Sequence, residues 1–127
     1  MSDTLALSLK TCSIAMRFDA AHLPRALELL VSASGPTRVK RGCRACRIEQ
    51  EAEGEGVVRY TEEWDSDEAF HRHLRSDEFW RVLLAMDLCS EEPEVAVGAL
   101  SARYGLEALR ELRETPSDVD QEPERVE

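Results

Sequence analysis

The sequence lacks a long hydrophobic segment and an excess of positive charge. No run of apolar residues approaches the ~20 that a membrane-spanning helix needs. The first residues show no basic region followed by a long apolar stretch, so we expect no secretory signal peptide. The 127-residue chain carries a formal net charge of −10, whereas nucleic-acid binding requires a cationic face. These observations argue against membrane and nucleic-acid partners and predict a cytoplasmic protein.

The chain contains four cysteines, and the spacing of two of them is less informative than it first suggests. Four cysteines without an export signal predict reduced thiols. Cys43-x-x-Cys46 has the spacing of zinc and redox sites, but in a strand these residues lie ~10 Å apart and point to opposite faces. That geometry excludes a disulfide and a shared zinc ion. Only a bulge at Gly42-Cys43 would restore the motif, so the sequence predicts two strand thiols and no metal.

Hydrophobic residues make up 43% of the chain, which is enough for one globular core. We expect a single domain over residues 1–114, with its core at about 9–110. Residues 115–127 contain five acids and one arginine without a core-forming pattern, which predicts an acidic, disordered tail.

Periodicity predicts the order of the elements. Alternation from Leu9 to Phe18 is typical of a strand, with Cys12, Ile14, Met16 and Phe18 on one face. A helical apolar pattern begins at Leu23-Pro24 and is expected to end at Gly35-Pro36. Further strands are predicted over 43–50, 57–64 and 95–104, with a hairpin loop over 51–56. Asp65-x-x-Glu68 and Ser76 predict helix starts, and Leu106, Leu109 and Leu112 indicate a short C-terminal helix.

This order, βαββαβ with an extra C-terminal helix, predicts a ferredoxin-like α+β fold: an antiparallel sheet with helices on one face. The other sheet face then has no cover. Several strands are apolar on both faces, as in Val57/Val58 and Val95/Ala96/Val97. Because a monomer rarely exposes a large apolar patch, we expect a homodimer in which two sheets pack face to face.

Two segments resemble the antibiotic biosynthesis monooxygenase superfamily: GPTRVKRGCRAC at 35–46 and EEWDSDEAFHRHLRSDEFWRVLLAMDL at 62–88. The matching motifs are Gly42-Cys43, Glu62-x-Trp64 and His73-Leu74. The resemblance spans about residues 9–110 and implies a dimeric α+β barrel with a pocket between sheet and helices. Some members of that superfamily oxidise quinols or aromatic polyketides with dioxygen and without metal or flavin. Others degrade haem, and many have no known activity, so the fold leaves the reaction open.

Comparison with the haem-degrading members of this superfamily argues against haem degradation. Haem-degrading relatives carry a tryptophan in the first helical segment and an axial histidine further along. Here His73 replaces that tryptophan and Val82-Leu83 occupy the place of the histidine. Apolar side chains cannot ligate iron.

His73 is the first candidate functional residue. It shares an apolar stripe with Phe70 and Leu74 and should face inward, while His71 should face solvent. Two positions apart on a helix, the histidines point about 200° away from each other and do not converge on one metal. His73 is therefore either a core histidine with a satisfied hydrogen bond or an acid/base in a pocket.

The second candidate group lies on the third strand, where Tyr60, Glu62 and Trp64 share a face. Side chains in this arrangement either belong to the core or a dimer interface, or form an aromatic wall on which a planar substrate stacks. In the latter case Glu62 orients a hydroxyl, and Arg17 or Arg59 stabilises a developing anion. The candidate catalytic residues are His73, Trp64 and Glu62, and the candidate substrate-binding residues are Tyr60, Arg17, Arg59 and Phe79.

Two functions follow from these residues and the resemblance. The first is a monooxygenase, acting without metal or cofactor, that oxidises a quinol or phenolic ligand with dioxygen; His73 is its base. The second is a non-catalytic ligand-binding or structural homodimer of the same fold. The small number of polar groups, with no nucleophile–base pair or phosphate loop, supports the second function.

Overall fold

The computed structural model describes residues 9–100 and Arg110. The four strands are β1 (Leu9–Arg17), β2 (Cys43–Gln50), β3 (Val57–Trp64) and β4 (Glu94–Leu100). The three helices are α1 (Leu23–Arg38), α2 (Asp67–Leu74) and α3 (Asp77–Met86). The strands form one antiparallel sheet in the order β2-β3-β1-β4. The predicted ferredoxin-like α+β fold is confirmed, and no helix among the described residues is long and apolar enough to cross a bilayer.

Strand β1 lies at the centre of the sheet and supplies much of the core. It pairs with β3 on one side and β4 on the other. Its alternate side chains Cys12, Ile14 and Met16, followed by Phe18, are buried as the alternation predicted. Helices α1 and α3 cover that face with residues that share the buried side of each helix: Ala26, Leu30, Ala33, Phe79, Val82 and Ala85.

The starts of α2 and α3 depend on serine caps. The Ser76 hydroxyl accepts a hydrogen bond from the Phe79 amide, as predicted. At α2 the prediction of Asp65 as the cap is wrong by one residue. Ser66 has the extended backbone of an N-cap and accepts from the Ala69 amide, so it satisfies one of the free amides of the first turn.

The prediction that α1 ends at Gly35-Pro36 is wrong, because the helix continues to Arg38. Pro36 has no amide hydrogen, so the Ser32 carbonyl one turn earlier loses its usual helical donor. The Arg81 guanidinium of α3 donates to that carbonyl at 3.1 Å. A side chain from the neighbouring helix therefore replaces the missing backbone hydrogen bond, which allows the proline to lie inside α1.

A bulge in β2 corrects the expected placement of the two nearby cysteines. Cys43 lies opposite Trp64 and Cys46 lies opposite Glu62, with an irregular register between Cys43 and Ala45. The extra residue places both cysteines on the helix-covered face, so the prediction of opposite faces is wrong. Both thiols are free, and no group of three or more metal-ligating side chains occurs within residues 9–100.

The sheet face opposite the helices, called the uncovered face because none of the described helices lies on it, is less apolar than expected. Val95 and Val97 pair with Ile14 and Cys12 and therefore lie on the face that the helices cover, where they remain 52% and 54% exposed.

The uncovered face itself has small or polar residues at its centre, with Ser13 between Thr61 and Ala96. Val57 lies on this face as predicted. The apolar patch that motivated a face-to-face dimer is thus smaller than the sequence indicated.

Several predictions lie outside the described residues. These are the last residues of the fourth strand (101–104), the C-terminal helix with Leu106, Leu109 and Leu112, and the acidic tail over 115–127.

Candidate active site

A carboxylate buried in the core is the centre of the site. Glu62 on β3 is fully buried, and its two oxygens accept three hydrogen bonds. Tyr60 donates its hydroxyl at 2.6 Å and Trp64 its indole N–H at 3.0 Å. These two residues flank Glu62 at alternate positions of one strand, so their side chains emerge on the same face. The third donor is His73 Nε2 of α2, at 2.7 Å from Glu62 Oε2.

The hydrogen bonds of His73 determine its tautomer. The Lys40 ammonium lies 3.0 Å from His73 Nδ1 and can only donate, so Nδ1 is the acceptor. The ring proton must then be on Nε2, directed at Glu62. His73 is only 2% exposed, and its ring contacts Trp64 at 4.8 Å and Phe79 at 5.6 Å between centroids. Packing and hydrogen bonds together fix both the orientation and the tautomer of the imidazole.

Lys40 is in turn held by an acid at the surface of α3. Its Nζ lies 2.8 Å from Glu78 Oε1. The hydrogen bond from Lys40 lowers the pKa of the Glu78 carboxyl, so this group is ionised at neutral pH. A continuous chain of contacts therefore runs from Glu78 through Lys40 and His73 to Glu62 in the core.

Tyr60 completes the cluster on the inner side. Burial and the charge of Glu62 raise the pKa of its phenol far above the ordinary value, so Tyr60 remains a donor. Its oxygen also accepts from Cys46 Sγ at 3.3 Å. Every buried side-chain nitrogen and oxygen within the described part of the chain has a hydrogen-bond partner.

A cavity of about 260 Å³ lies beside the cluster. Its apolar lining comes from Trp64 and Ala69, and its polar lining includes the His73 ring and Ser76. The remaining lining residues are cations: Lys40, Arg41 and Arg72. The volume is slightly below the ~300–1,000 Å³ typical of sites for drug-sized ligands, which favours a ligand of one or two rings.

The loop that carries Lys40 and Arg41 to the cavity depends on Gly42. Its φ of 91° is a conformation that other residues rarely adopt. A β-carbon at this position would also lie 2.7 Å from the Ala69 side chain of α2. The glycine that precedes the Cys-x-x-Cys motif thus lets the start of β2 approach α2 closely, where the two elements form one wall of the cavity.

The structure brings together five of the seven predicted site residues. Glu62, Trp64, His73, Tyr60 and Phe79 contact one another in a single cluster.

Arg17 and Arg59 are separated from that cluster, which corrects the expectation that they act at the same site. Both are exposed, and Arg59 hydrogen-bonds Ser13 on the uncovered sheet face. They line a different cavity of about 240 Å³, where Arg17 pairs with Glu91. Strand alternation places both arginines on the sheet face opposite to Tyr60, away from the cluster.

Four residues that line the cavity are not among the predicted site residues: Lys40, Arg41, Arg72 and Ser76. Two of them could have been found from the sequence, because Lys40 and Arg41 directly precede the Gly42-Cys43 family motif. Their closeness to His73 is a tertiary contact between the start of β2 and α2 that no local pattern encodes.

Comparison with known protein families gives a match that spans the residues of the cluster. The family model of the antibiotic biosynthesis monooxygenases matches residues 11–82, which is more than half of the chain. The chain belongs to the antibiotic biosynthesis monooxygenase family. The match includes Gly42-Cys43, the Glu62-x-Trp64 motif and His73, so the cluster and its cavity are part of the family domain.

Solved structures from several organisms share the fold. A conserved protein from Methanosarcina mazei has 20% identity and a TM-score of 0.66, over 77% of this chain and 97% of its own. A Mycobacterium tuberculosis protein has 21% identity and a TM-score of 0.64, over 71% and 92%. A candidate antibiotic biosynthesis monooxygenase from Deinococcus radiodurans has 21% identity and a TM-score of 0.63, over 70% and 89%. No curated protein matches the chain.

The cysteines of this family member are poor nucleophiles. Burial raises the pKa of Cys12 and of Cys46 to about 11. Burial also raises the pKa of Cys43 and Cys89. Because the thiolate is the reactive form, we expect the Cys-x-x-Cys pair to react more slowly at neutral pH than free cysteine, although both residues lie on one face.

Thiol labelling tests this inference. At pH 8 a thiol of pKa 11 is roughly one-thousandth ionised, against roughly one-quarter for a free cysteine. We therefore expect Ellman's reagent to label native Cys12 and Cys46 at least ~100-fold more slowly than the same thiols in guanidinium. Peptide mapping assigns each site, and half-buried Cys89 serves as the internal comparison. Rapid labelling of native Cys46 at pH 8 would contradict the inference.

The substitution Glu62→Gln tests the importance of the buried carboxylate for folding. A carboxamide presents one acceptor oxygen and one donor NH₂ to three donors, so at least one hydrogen bond must be lost or the His73 tautomer must change. We expect a loss of about 1–3 kcal/mol in the free energy of unfolding, measured by urea denaturation. The matched control is Glu28→Gln, which alters the exposed ion pair between Arg25 and Glu28 on α1. This substitution should change the free energy of unfolding by less than about 0.5 kcal/mol. Equal effects of the two substitutions would count against the central role of Glu62.

Proposed function

We propose that this protein is a cofactor-independent monooxygenase that oxidises a small quinol or phenol with dioxygen. One observation carries the proposal: a buried carboxylate holds one nitrogen of His73, and the other nitrogen lies toward a cavity. His73, Lys40 and Ser76 all line that cavity, and the last two lie 3.0 Å and 3.4 Å from His73 Nδ1. Glu62 and His73 thus have the arrangement of an orienting acid behind a general base.

The first step is removal of the phenolic proton. The substrate hydroxyl replaces Lys40 as the hydrogen-bond donor to His73 Nδ1 and transfers its proton to that atom. The imidazolium that forms is stabilised by the Glu62 carboxylate at Nε2, 2.7 Å away. The Lys40 ammonium remains beside the new phenolate and stabilises its charge.

The second step uses the electrons of the substrate itself. The phenolate reduces dioxygen, and a carbon–oxygen bond forms at an unsubstituted ring carbon to give a peroxide. Cleavage of the oxygen–oxygen bond leaves one oxygen atom in the quinone product. The second oxygen leaves as water with the hydroxyl proton and the ring-carbon hydrogen, so no external reductant is consumed. The substrate ring packs against Trp64 and Ala69, the apolar part of the cavity lining.

One observation favours the alternative, a ligand-binding protein without turnover. Lys40 already occupies the His73 lone pair, and the buried cluster of the described residues is fully hydrogen-bonded. A core polar network that only stabilises the fold would have the same contacts. The two functions differ in whether the ligand is consumed in air.

Oxygen consumption with a panel of hydroquinones and naphthols tests the enzyme proposal. We expect uptake by the wild-type protein and a loss of about 10²–10⁴-fold in His73→Gln, because proton removal then lacks its base. The matched control is His71→Gln, which removes an exposed imidazole on the same helix and should retain the wild-type rate. Product analysis should show one oxygen atom from ¹⁸O₂ in the quinone.

Two outcomes would reject this assignment. If His73→Gln consumed oxygen at the wild-type rate, His73 would not be the base. If a ligand of the panel bound to the wild-type protein and were recovered unchanged after incubation in air, the binding function would replace the enzymatic one.

We also propose that two copies associate through the uncovered sheet face. The small side chains at its centre, among them Ser13 and Ala96, permit two sheets to approach closely. Charged side chains at its margins, such as Arg47 paired with Glu63, leave the centre free for packing. Association through this surface therefore depends mainly on close packing of the two sheets, because the surface is only moderately apolar.

Light scattering at micromolar concentration tests the dimer. We expect a mass of twice the 14.3 kDa chain for the wild type. Ala96→Glu places a charge at the centre of the face and should shift the population toward monomer, because the two-fold axis brings the new carboxylates together. Val31→Glu on the outer side of α1 is the control and should remain dimeric. A wild-type monomer would refute the proposal.

A further inference from the structure

The mouth of the cavity is positively charged in an otherwise acidic protein. Three of its lining residues are cations, Lys40, Arg41 and Arg72, and none is an acid. The whole chain carries a net charge of −10. A local group of cations against this background attracts anions to one place on the surface.

The three cations differ in how they are engaged. Lys40 already donates to Glu78 and His73. Arg41 and Arg72 are exposed, and neither forms an ion pair within the described residues. Other cations of the domain do have acidic partners, as in Lys10 with Asp67 and Arg47 with Glu63. Within the described part of the chain, therefore, no acid neutralises these two guanidinium groups at the cavity.

The inner wall of the same cavity has a different character. Trp64 and Ala69 form an apolar surface beside the His73 ring. Such a surface accepts an aromatic ring, whereas guanidinium groups bind carboxylates through paired hydrogen bonds. The cavity thus combines a stacking surface with an anion-binding rim, within about 260 Å³.

We propose that the ligand of this cavity is a hydroxylated aromatic carboxylate of one or two rings. Arg41 and Arg72 bind its carboxylate at the rim, and its hydroxyl lies at His73 Nδ1. This inference deepens the proposed function, on which the assignment of the hydroxyl rests. The two arginines then determine specificity, and His73 determines reactivity.

Anaerobic calorimetry separates binding from turnover. The ligands are 6-hydroxy-2-naphthoate, its neutral amide 6-hydroxy-2-naphthamide, and 2-naphthol. We expect the carboxylate to bind the wild-type protein at least ~10-fold more tightly than either neutral compound, and added salt to weaken only its binding. The corresponding sulfonate distinguishes a preference for carboxylate from a preference for any anion.

The variant Arg41→Gln/Arg72→Gln should lose that preference while its affinity for 2-naphthol stays within about twofold, since the stacking surface is unchanged. The control Arg75→Gln removes an exposed cation just beyond the same helix that does not line the cavity, and should retain the preference. Urea denaturation verifies that the exposed substitutions leave the fold intact.

The results of these binding experiments can be distinguished from the results of the oxygen-consumption test of the proposed function. Equal affinities of acid and amide for the wild type, a preference that persists in the double variant, or no binding of any ligand would overturn this inference. Oxygen consumption that depends on His73 would in each case leave the enzyme proposal standing. If instead the preference is found and no ligand is oxidised in air, the anion site stands and the enzymatic function fails.

Discussion

The arrangement of the site depends on one interaction, the burial of the Glu62 carboxylate among three hydrogen-bond donors. A carboxylate removed from water is costly unless its oxygens are satisfied, and losing one partner costs more than the pair contributes. Tyr60, Trp64 and His73 must therefore be held together for the core to form. The same requirement positions the His73 ring at the cavity wall, so a condition of folding also sets the geometry of the candidate base.

Much of the fold could be predicted from the sequence because its signals are local. The alternation of Cys12, Ile14 and Met16 defined the central strand, and Ser76 defined the start of a helix. Alternation also placed Tyr60, Glu62 and Trp64 on one face, and helical periodicity placed His73 inside. These four positions depend on periods of two or 3.6 residues, which are properties of the chain itself.

The errors arose where a tertiary contact overrides a local rule. Pro36 lies inside α1 because Arg81 of another helix supplies the missing donor. The β2 bulge moves Cys43 to the face of Cys46, and no composition signal marks it. Lys40 acquires its role from two partners, His73 and Glu78, that are 33 and 38 positions away. Such contacts become visible only once the sheet and helices are in place.

The contact between Lys40 and His73 has a consequence for the way a ligand enters. The Lys40 ammonium occupies the imidazole lone pair, so a ligand that binds His73 Nδ1 must first displace this hydrogen bond. Under the proposed function, admission requires only the rotation of one flexible side chain, a change of nanoseconds or less, with the backbone unmoved. Selection at this site then occurs as a competition between two donors for a single nitrogen: a solvent-facing amine that is always present and a hydroxyl that must arrive correctly oriented.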